Sequence, residues 1–397
     1  MKLFFTFLLT SQLLTSQVWV QLADYPALKR DDGVAVIVDN KAYFGTGLIE
    51  WSSTADFHAL DLSTHAWASL PSIPNGSERQ YACAFAGPNC FYVFGGDGNG
   101  GALNNLYKYD ISSSTWSTAS SKPGSGLIAA ACMNFGDKII ISGGRFQSGK
   151  SSAEVWEYTI SSDTWAQKNN YPFAGRWRAS AAAYNNSGYL VFGIDSGGAF
   201  RKEFYKYIPA TDIWVKIMDF PTTKGRAYSS LNVASNKLVV FGGIDTLNNF
   251  YKDLWYFEEG TSTWTQGPDM PSTGRKGGMS CASGNNLFYS CGLGEGPTRL
   301  TETWMTAVPV GIKENSSTNF FSLYPNPTNG IINFNSSDNN MHSITFSCSD
   351  ISGRELNAVK KLETAECIDL SGLKAGIYFL KFYSENKLVE VKRIVKN

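Results

Sequence analysis

Histidine is nearly missing from this chain, with three in 397 residues. That shortage argues against imidazole-based triads and against zinc or copper centres held by histidine. Charged residues make up only 17% of the chain, below the usual quarter or so. Lys+Arg and Asp+Glu both number 34, so the net charge is zero. A neutral chain lacks the basic footprint of a nucleic-acid binder. No Cys-x-x-Cys pair, calcium loop of alternating Asp, or nucleophile elbow is present. The glycine run at 96–101 does not stand between a strand and a helix, so it is no phosphate loop. No cofactor and no metal are expected. Beyond the N-terminus no stretch reaches about 18 apolar residues, and no transmembrane segment is expected.

What is abundant is aromatic side chains, at 14%, and glycine, at 38 residues. This mix reads as all-β with many tight turns. The chain opens with Lys2 and an apolar run through Leu14, followed by small polar residues. That pattern is a secretory signal peptide over residues 1–16. Seven cysteines would then meet an oxidising compartment. Cys83/Cys90, Cys281/Cys291 and Cys348/Cys367 are near enough in sequence to pair, leaving Cys132; buried free thiols are the alternative.

Six tryptophans recur at a nearly constant interval: Trp19, Trp67, Trp116, Trp165, Trp214 and Trp264. A proline follows each by seven residues. A period close to 50 marks a repeat architecture. Each unit holds a strand of small residues, then an apolar strand ending in glycine, such as Val93-Phe94-Gly95-Gly96 or Val240-Phe241-Gly242-Gly243. An aromatic third strand and the tryptophan strand complete it. The first glycines read as Gly45, Gly95, Gly143, Gly193, Gly242 and Gly292. Diglycine, aromatic strand and tryptophan in this order resemble the Kelch repeat. The resemblance implies a six-bladed β-propeller over residues 17–310. The sixth unit lacks its tryptophan strand, and Trp19 stands in a spare one at the N-terminus, so the two ends are expected to close one blade.

After a polar linker at 311–320 the period stops. Tyr324-Pro325-Asn326-Pro327, Asp350-Ile351-Ser352-Gly353-Arg354, Leu373-Lys374-Ala375-Gly376-Ile377-Tyr378 and a basic C-terminal strand follow. Residues 321–397 read as a small Ig-like β-sandwich, and they resemble the C-terminal sorting domain of the type IX secretion system. That resemblance implies export across two membranes, to the cell surface or the medium, with the secretion machinery as a partner.

In a four-stranded blade, the loops from fourth to first strand and from second to third share one face. Arg30, Arg79, Arg176, Arg226 and Arg275 lie in the first kind of loop, and Arg145 follows the third diglycine on the same face. Tyr81, Trp177 and Tyr228 lie nearby. As many as six guanidinium groups would rim one mouth and bind an anionic glycan or acidic protein ligand. The competing role is internal: each arginine pairs with a carboxylate or carbonyl of its own or a neighbouring blade. An enzyme reading also stands, through resemblance to the sialic acid mutarotases, which bind a sugar carboxylate with arginines. Glu203, Asp195 or Glu295 would then relay the proton, although no motif singles one out and the catalytic residues stay unassigned.

Overall fold

A computed structural model of the chain describes residues 19–309, 321–336, 344–350, 354–356, 360–362, 367–384 and 387–397. The signal-peptide reading of 1–16 and the linker reading of 311–320 fall outside them. Every regular element among the described residues is a strand. The chain divides into two compact units, Met1–Val310 and Gly311–Asn397.

The first unit holds six four-stranded antiparallel sheets. Blade 1 runs Val34–Val38, Lys41–Gly45, Phe57–Asp61 and Trp67–Leu70. Blade 2 runs Cys83–Gly87, Cys90–Phe94, Leu106–Asp110 and Thr115–Ala119. Blades 3, 4 and 5 begin at Ala131–Asn134, Ser180–Tyr184 and Ser230–Ala234 and repeat the order. Blade 6 takes Met279–Ser283, Asn286–Ser290 and Thr303–Ala307, and its fourth strand is Trp19–Leu22. There Trp19 pairs with Thr306 and Leu22 with Thr303. The first strand of each blade packs on that of the next, and blade 6 returns to blade 1, so the sheets form a closed ring with the first strands around the axis. Closure leaves no free sheet edge between the ends of the chain.

Residue type follows radial position. Second strands are sandwiched between blades and are buried along their length, as in Cys90–Phe94 and Lys237–Phe241. A near-continuous apolar run suits a strand covered on both faces. Phe91 and Val93 are wholly buried there, each worth roughly 1.5–3 kcal/mol of transfer free energy. Fourth strands are largely exposed, and their tryptophans tie neighbouring blades together. Trp67 Nε1 donates to Ala23 O, Trp116 to Pro71 O, Trp165 to Ser120 O and Trp19 to Pro268 O, at 2.7–3.1 Å. Each acceptor lies just beyond the fourth strand of the preceding blade.

Two rings of backbone hydrogen bonds circle the axis. In the outer ring Gly47, Gly96, Gly144, Gly193, Gly243 and Gly292 donate to the carbonyls of Arg79, Leu127, Arg176, Arg226, Arg275 and Arg30 in the next blade, at 2.8–3.0 Å. These glycines all have φ between 91° and 105°. A Cβ on Gly96 would meet Gln80 O at 2.5 Å, so only glycine fits. Blade 1 therefore aligns through Gly47; Gly45 ends the second strand, where a Cβ would meet Asp56 O at 2.5 Å. In the inner ring Asp32, Tyr81, Ala129, Arg178, Tyr228 and Gly277 each donate to the one before, at 2.6–3.3 Å. All six have positive φ, 50–63°.

None of the three sequence-near cysteine pairs is joined; all seven thiols are free. Within blade 2, Cys83 lies opposite Phe94 and Cys90 opposite Gly87, which separates those sulfurs. Cys281 likewise faces Phe288, and Cys348 and Cys367 belong to different sheets.

The second unit is a two-sheet sandwich. One sheet is Phe321–Tyr324, Ile331–Ser336 and Cys367–Asp369; the other is Lys360–Leu362, Ile344–Asp350, Gly376–Ser384 and Lys387–Lys396. Ile332 and Ile368 from the first meet Cys348, Leu380, Phe382 and Ile394 from the second in one core. The opening motif earns its residues by hydrogen bonding. Asn326 donates to Arg393 O and accepts from Val395 N–H, at 2.8 and 2.9 Å, so its amide stands in for a strand partner.

Candidate functional site

The five loop arginines are not on the rim. Arg30, Arg79, Arg176, Arg226 and Arg275 are all at most 2% exposed. Each Nη1 donates to the carbonyl sixteen residues on: Thr46, Gly95, Phe192, Gly242 and Cys291, at 3.1–3.5 Å. Each then meets the residue that leads into its third strand. Arg30 grips Asp56 with two bonds of 2.7 and 2.9 Å, and Arg226 grips Asp253 with two of 2.7 Å. Arg275 reaches Glu302 at 2.6 Å and Arg176 reaches Glu203 at 3.5 Å. Blade 2 offers only the neutral Asn105, at 3.0 Å. Burial without a carboxylate drops the Arg79 guanidinium to about 10. The ligand-binding reading of these five gives way to the internal one, because an arginine inside the blade joins two turns that a rim arginine would leave unjoined. Blade 3 keeps the device with a different residue: buried Lys122 stands 3.5 Å from Glu154 and 4.5 Å from the Trp156 ring. It precedes Pro123, whereas the arginines of the other blades follow their prolines.

The carboxylates singled out for proton relay are occupied or outlying. Glu203 is held by Arg176 and Arg201. Asp195 accepts from its own loop, at Gly197 and Ala199, and pairs with Arg201. Glu295 is exposed on its loop.

The inner ring gathers a different set of side chains at the axis. The Arg178 guanidinium lies 3.6 Å from the Trp177 ring centroid, 3.8 Å from Tyr228 and 4.8 Å from Tyr81. Its Nη2 donates to Tyr81 Oη at 2.9 Å. Arg145 also lies over the Trp177 ring, 4.2 Å from its centroid, and Lys276 stands 4.4 Å from Tyr228. Cation–π contacts of this kind contribute about 0.5–2 kcal/mol each. The α-carbons of Tyr81, Arg178 and Tyr228 share one ring position in three different blades, so the circle, not the chain, brings them together.

Acidic groups are fewer. Asp31 is 3% exposed and pairs with Arg299 at 2.5 Å. Asp32 is a buried member of the inner ring. Burial pushes its carboxyl well above the usual range and Asp31 adds to the effect, while Arg178, Tyr81 and Lys276 oppose it without cancelling it. Burial also lowers the Lys276 ammonium and the Arg178 guanidinium. Among the described residues Arg145, Arg178 and Lys276 form no ion pair within 4 Å. The mouth thus presents three cations on aromatic faces, none in an ion pair among the described residues, beside a carboxyl whose pKa burial raises.

Of the residues expected at a binding rim, Arg145, Tyr81 and Tyr228 are brought together here. Trp177, noted only as a neighbour, becomes the stacking surface. Asp32, Arg178 and Lys276 carried no motif. Their signal is positional: each lies one or two residues past the buried arginine of its blade.

Two stretches, residues 34–225 and 129–309, match the family model of the KLHDC2/KLHL20/DRC7 Kelch-repeats domain. Residues 322–397 match the secretion system C-terminal sorting domain. Among solved structures, that of YjhT is similar with a TM-score of 0.63 and 17% identity, covering 71% of this chain and 95% of that one. At that identity the likeness establishes the fold alone. With 601 solved chains matching, the architecture is too widely used to name a ligand. No curated protein matches the chain. Its repeats and their closed ring are those of the Kelch-repeat family, to which the chain belongs, and a secretion-system sorting domain forms its C-terminal unit.

Proposed function

We propose that this exported propeller is a recognition protein whose axial mouth binds a carboxylate-bearing ligand, with a glycan acid as the ligand class. One observation carries the reading: Arg145, Arg178 and Lys276 are held on Trp177 and Tyr228, with no carboxylate of the described residues within 4 Å of any of them. Stacking fixes the cations in place, so little side-chain entropy is lost when an anion arrives. The sorting domain supports delivery by type IX secretion to the cell surface or beyond it.

Calorimetric titration with N-acetylneuraminate, glucuronate and an acidic peptide tests this. Arg145→Ala and Lys276→Ala are each expected to weaken sugar-acid binding about tenfold, or ~1.4 kcal/mol. Binding should also weaken with added salt. Affinity that ignores both substitutions overturns the reading, and a preference for the peptide would replace the glycan class.

Asp32 favours a second reading, a mutarotase-like catalyst. A buried carboxyl raised above the usual carboxylate range, beside Tyr81 and Arg178, is a general acid–base candidate for opening a sugar ring. Acceleration of N-acetylneuraminate anomer exchange in NMR, lost in Asp32→Asn with binding retained, would establish it. Exchange at the uncatalysed rate would leave binding alone.

A further inference from the structure

Trp51 is the most exposed large apolar side chain among the described residues of the first unit, 95% accessible. It sits at the tip of a two-residue hairpin between Leu48–Ile49 and Ser52–Ser53, in the loop from second to third strand of blade 1. Beneath it a cleft of about 360 Å³ opens between blades 1 and 2, within the range of small-molecule sites, roughly 300–1,000 Å³. Its polar lining includes Ser53, Glu78, Gln80, Asp97 and Asn99. Gln80 and Asp97 are paired across a short ladder, which fixes their backbones. Gln80 Oε1 is buried and has no hydrogen-bond partner.

We propose that this cleft is a second binding site, for an uncharged glycan, with Trp51 as the platform for a pyranose ring. No lysine or arginine lines the cleft, and Glu78 and Asp97 repel anions, so it does not duplicate the axial mouth. The lining mixes acceptors with amide and hydroxyl donors. Sugar hydroxyls both donate and accept, and so use the full set. An ammonium group would use only the acceptors. The apolar face of a pyranose ring meets the indole face, which otherwise stands in water. A donor from the sugar would also satisfy Gln80 Oε1, whose burial without a partner is costly. The site lies on the same face as the axial cations and shares none of the residues named for them. A ligand spanning both would gain from effective concentration.

The test uses the chain from residue 17 onward. Cellohexaose, maltohexaose, mannohexaose and chitohexaose are titrated calorimetrically, with a lysine-rich peptide as the cationic control. At least one oligosaccharide should bind saturably at millimolar concentration or below. Trp51→Ala should weaken it about tenfold or more, and Asp97→Asn with Glu78→Gln should weaken it further. Because Trp51 is exposed, its loss leaves the fold intact. The Trp51→Ala protein should still titrate N-acetylneuraminate as the parent does, which separates this site from the axial one. The proposal is overturned if no neutral oligosaccharide binds, if Trp51→Ala binds as well as the parent, or if only the peptide binds.

Discussion

At the scale of single residues, the decisive distinction is between cations consumed by the fold and cations left for chemistry. A buried guanidinium must be paired, because an isolated charge in the interior is costly. Four of the five buried arginines have carboxylates to match and Arg79 does not. Asn105→Asp should therefore stabilise the protein by about 1 kcal/mol, the usual advantage of a charge-assisted bond over a neutral one. In blade 1 the matching Asp56 is held below the usual range because Arg30 outweighs its burial. A depressed carboxyl of that kind stabilises above its unfolded pKa and loses the contribution as pH falls. Urea unfolding of Asn105→Asp should thus show the gain at pH 7 and its loss toward pH 3. Asp32 has the opposite sign. Its folded pKa is raised, so the protonated form favours the fold. That contribution is complete below the unfolded pKa and disappears as pH rises through the folded one. Asp32→Asn is expected to be more stable than the parent at pH 8, with the difference shrinking at pH 4; thermal unfolding at the two values measures it. An advantage that grows toward low pH would contradict the burial of that carboxyl.

At the scale of elements, each blade is a short sheet stapled to its neighbour by its outermost strand. Trp165 Nε1 donates to Ser120 O at 2.7 Å, whereas Trp264 Nε1 is buried without a partner. Both rings pack on aromatic residues of the preceding blade, Phe94 and Phe204. The two positions thus share ring packing and differ in the hydrogen bond. Trp165→Phe should cost about 1 kcal/mol more than Trp264→Phe in urea unfolding, since only the first loses a bond. The element scale also explains a misreading of register. Gly45 looks like the repeat glycine of blade 1 because it ends an apolar strand. The glycine that joins blade 1 to the next blade is Gly47, whose φ is 105° and whose N–H reaches Arg79 O. The preceding position is looser: Thr46, Phe192 and Cys291 occupy it with φ of 56–67°, a region open at some cost to other residues. Where a glycine does stand at that preceding position it is closely packed as well: a Cβ on Gly143 would meet Arg176 O at 2.5 Å.

At the scale of the molecule, circular closure is what makes a site. The inner ring of hydrogen bonds passes through all six blades and returns from Gly277 to Asp32, so removing one strand opens everything it encloses. Deleting the residues through Leu22 takes the fourth strand from blade 6 and bares the edge of Thr303–Ala307. The shortened protein is expected to lose cooperative thermal unfolding and to self-associate through that edge, as read by calorimetry and size-exclusion chromatography. A cooperative monomer would show that the ring holds without its closing strand. The sequence by itself determined the repeat, the all-β class, the six-unit count and the sorting domain, because those depend on local periodicity and short motifs. Only the tertiary structure decided which cations remain available. Arg176 and Arg178 are two residues apart and of the same type, yet one faces into its blade and the other into the axial mouth. Their difference comes from the positive φ at Arg178 and from Tyr81, Trp177 and Tyr228, which the closed circle brings beside it. No neighbour in sequence supplies Tyr81 or Tyr228; they lie 97 and 50 residues away along the chain and meet only when the ring closes.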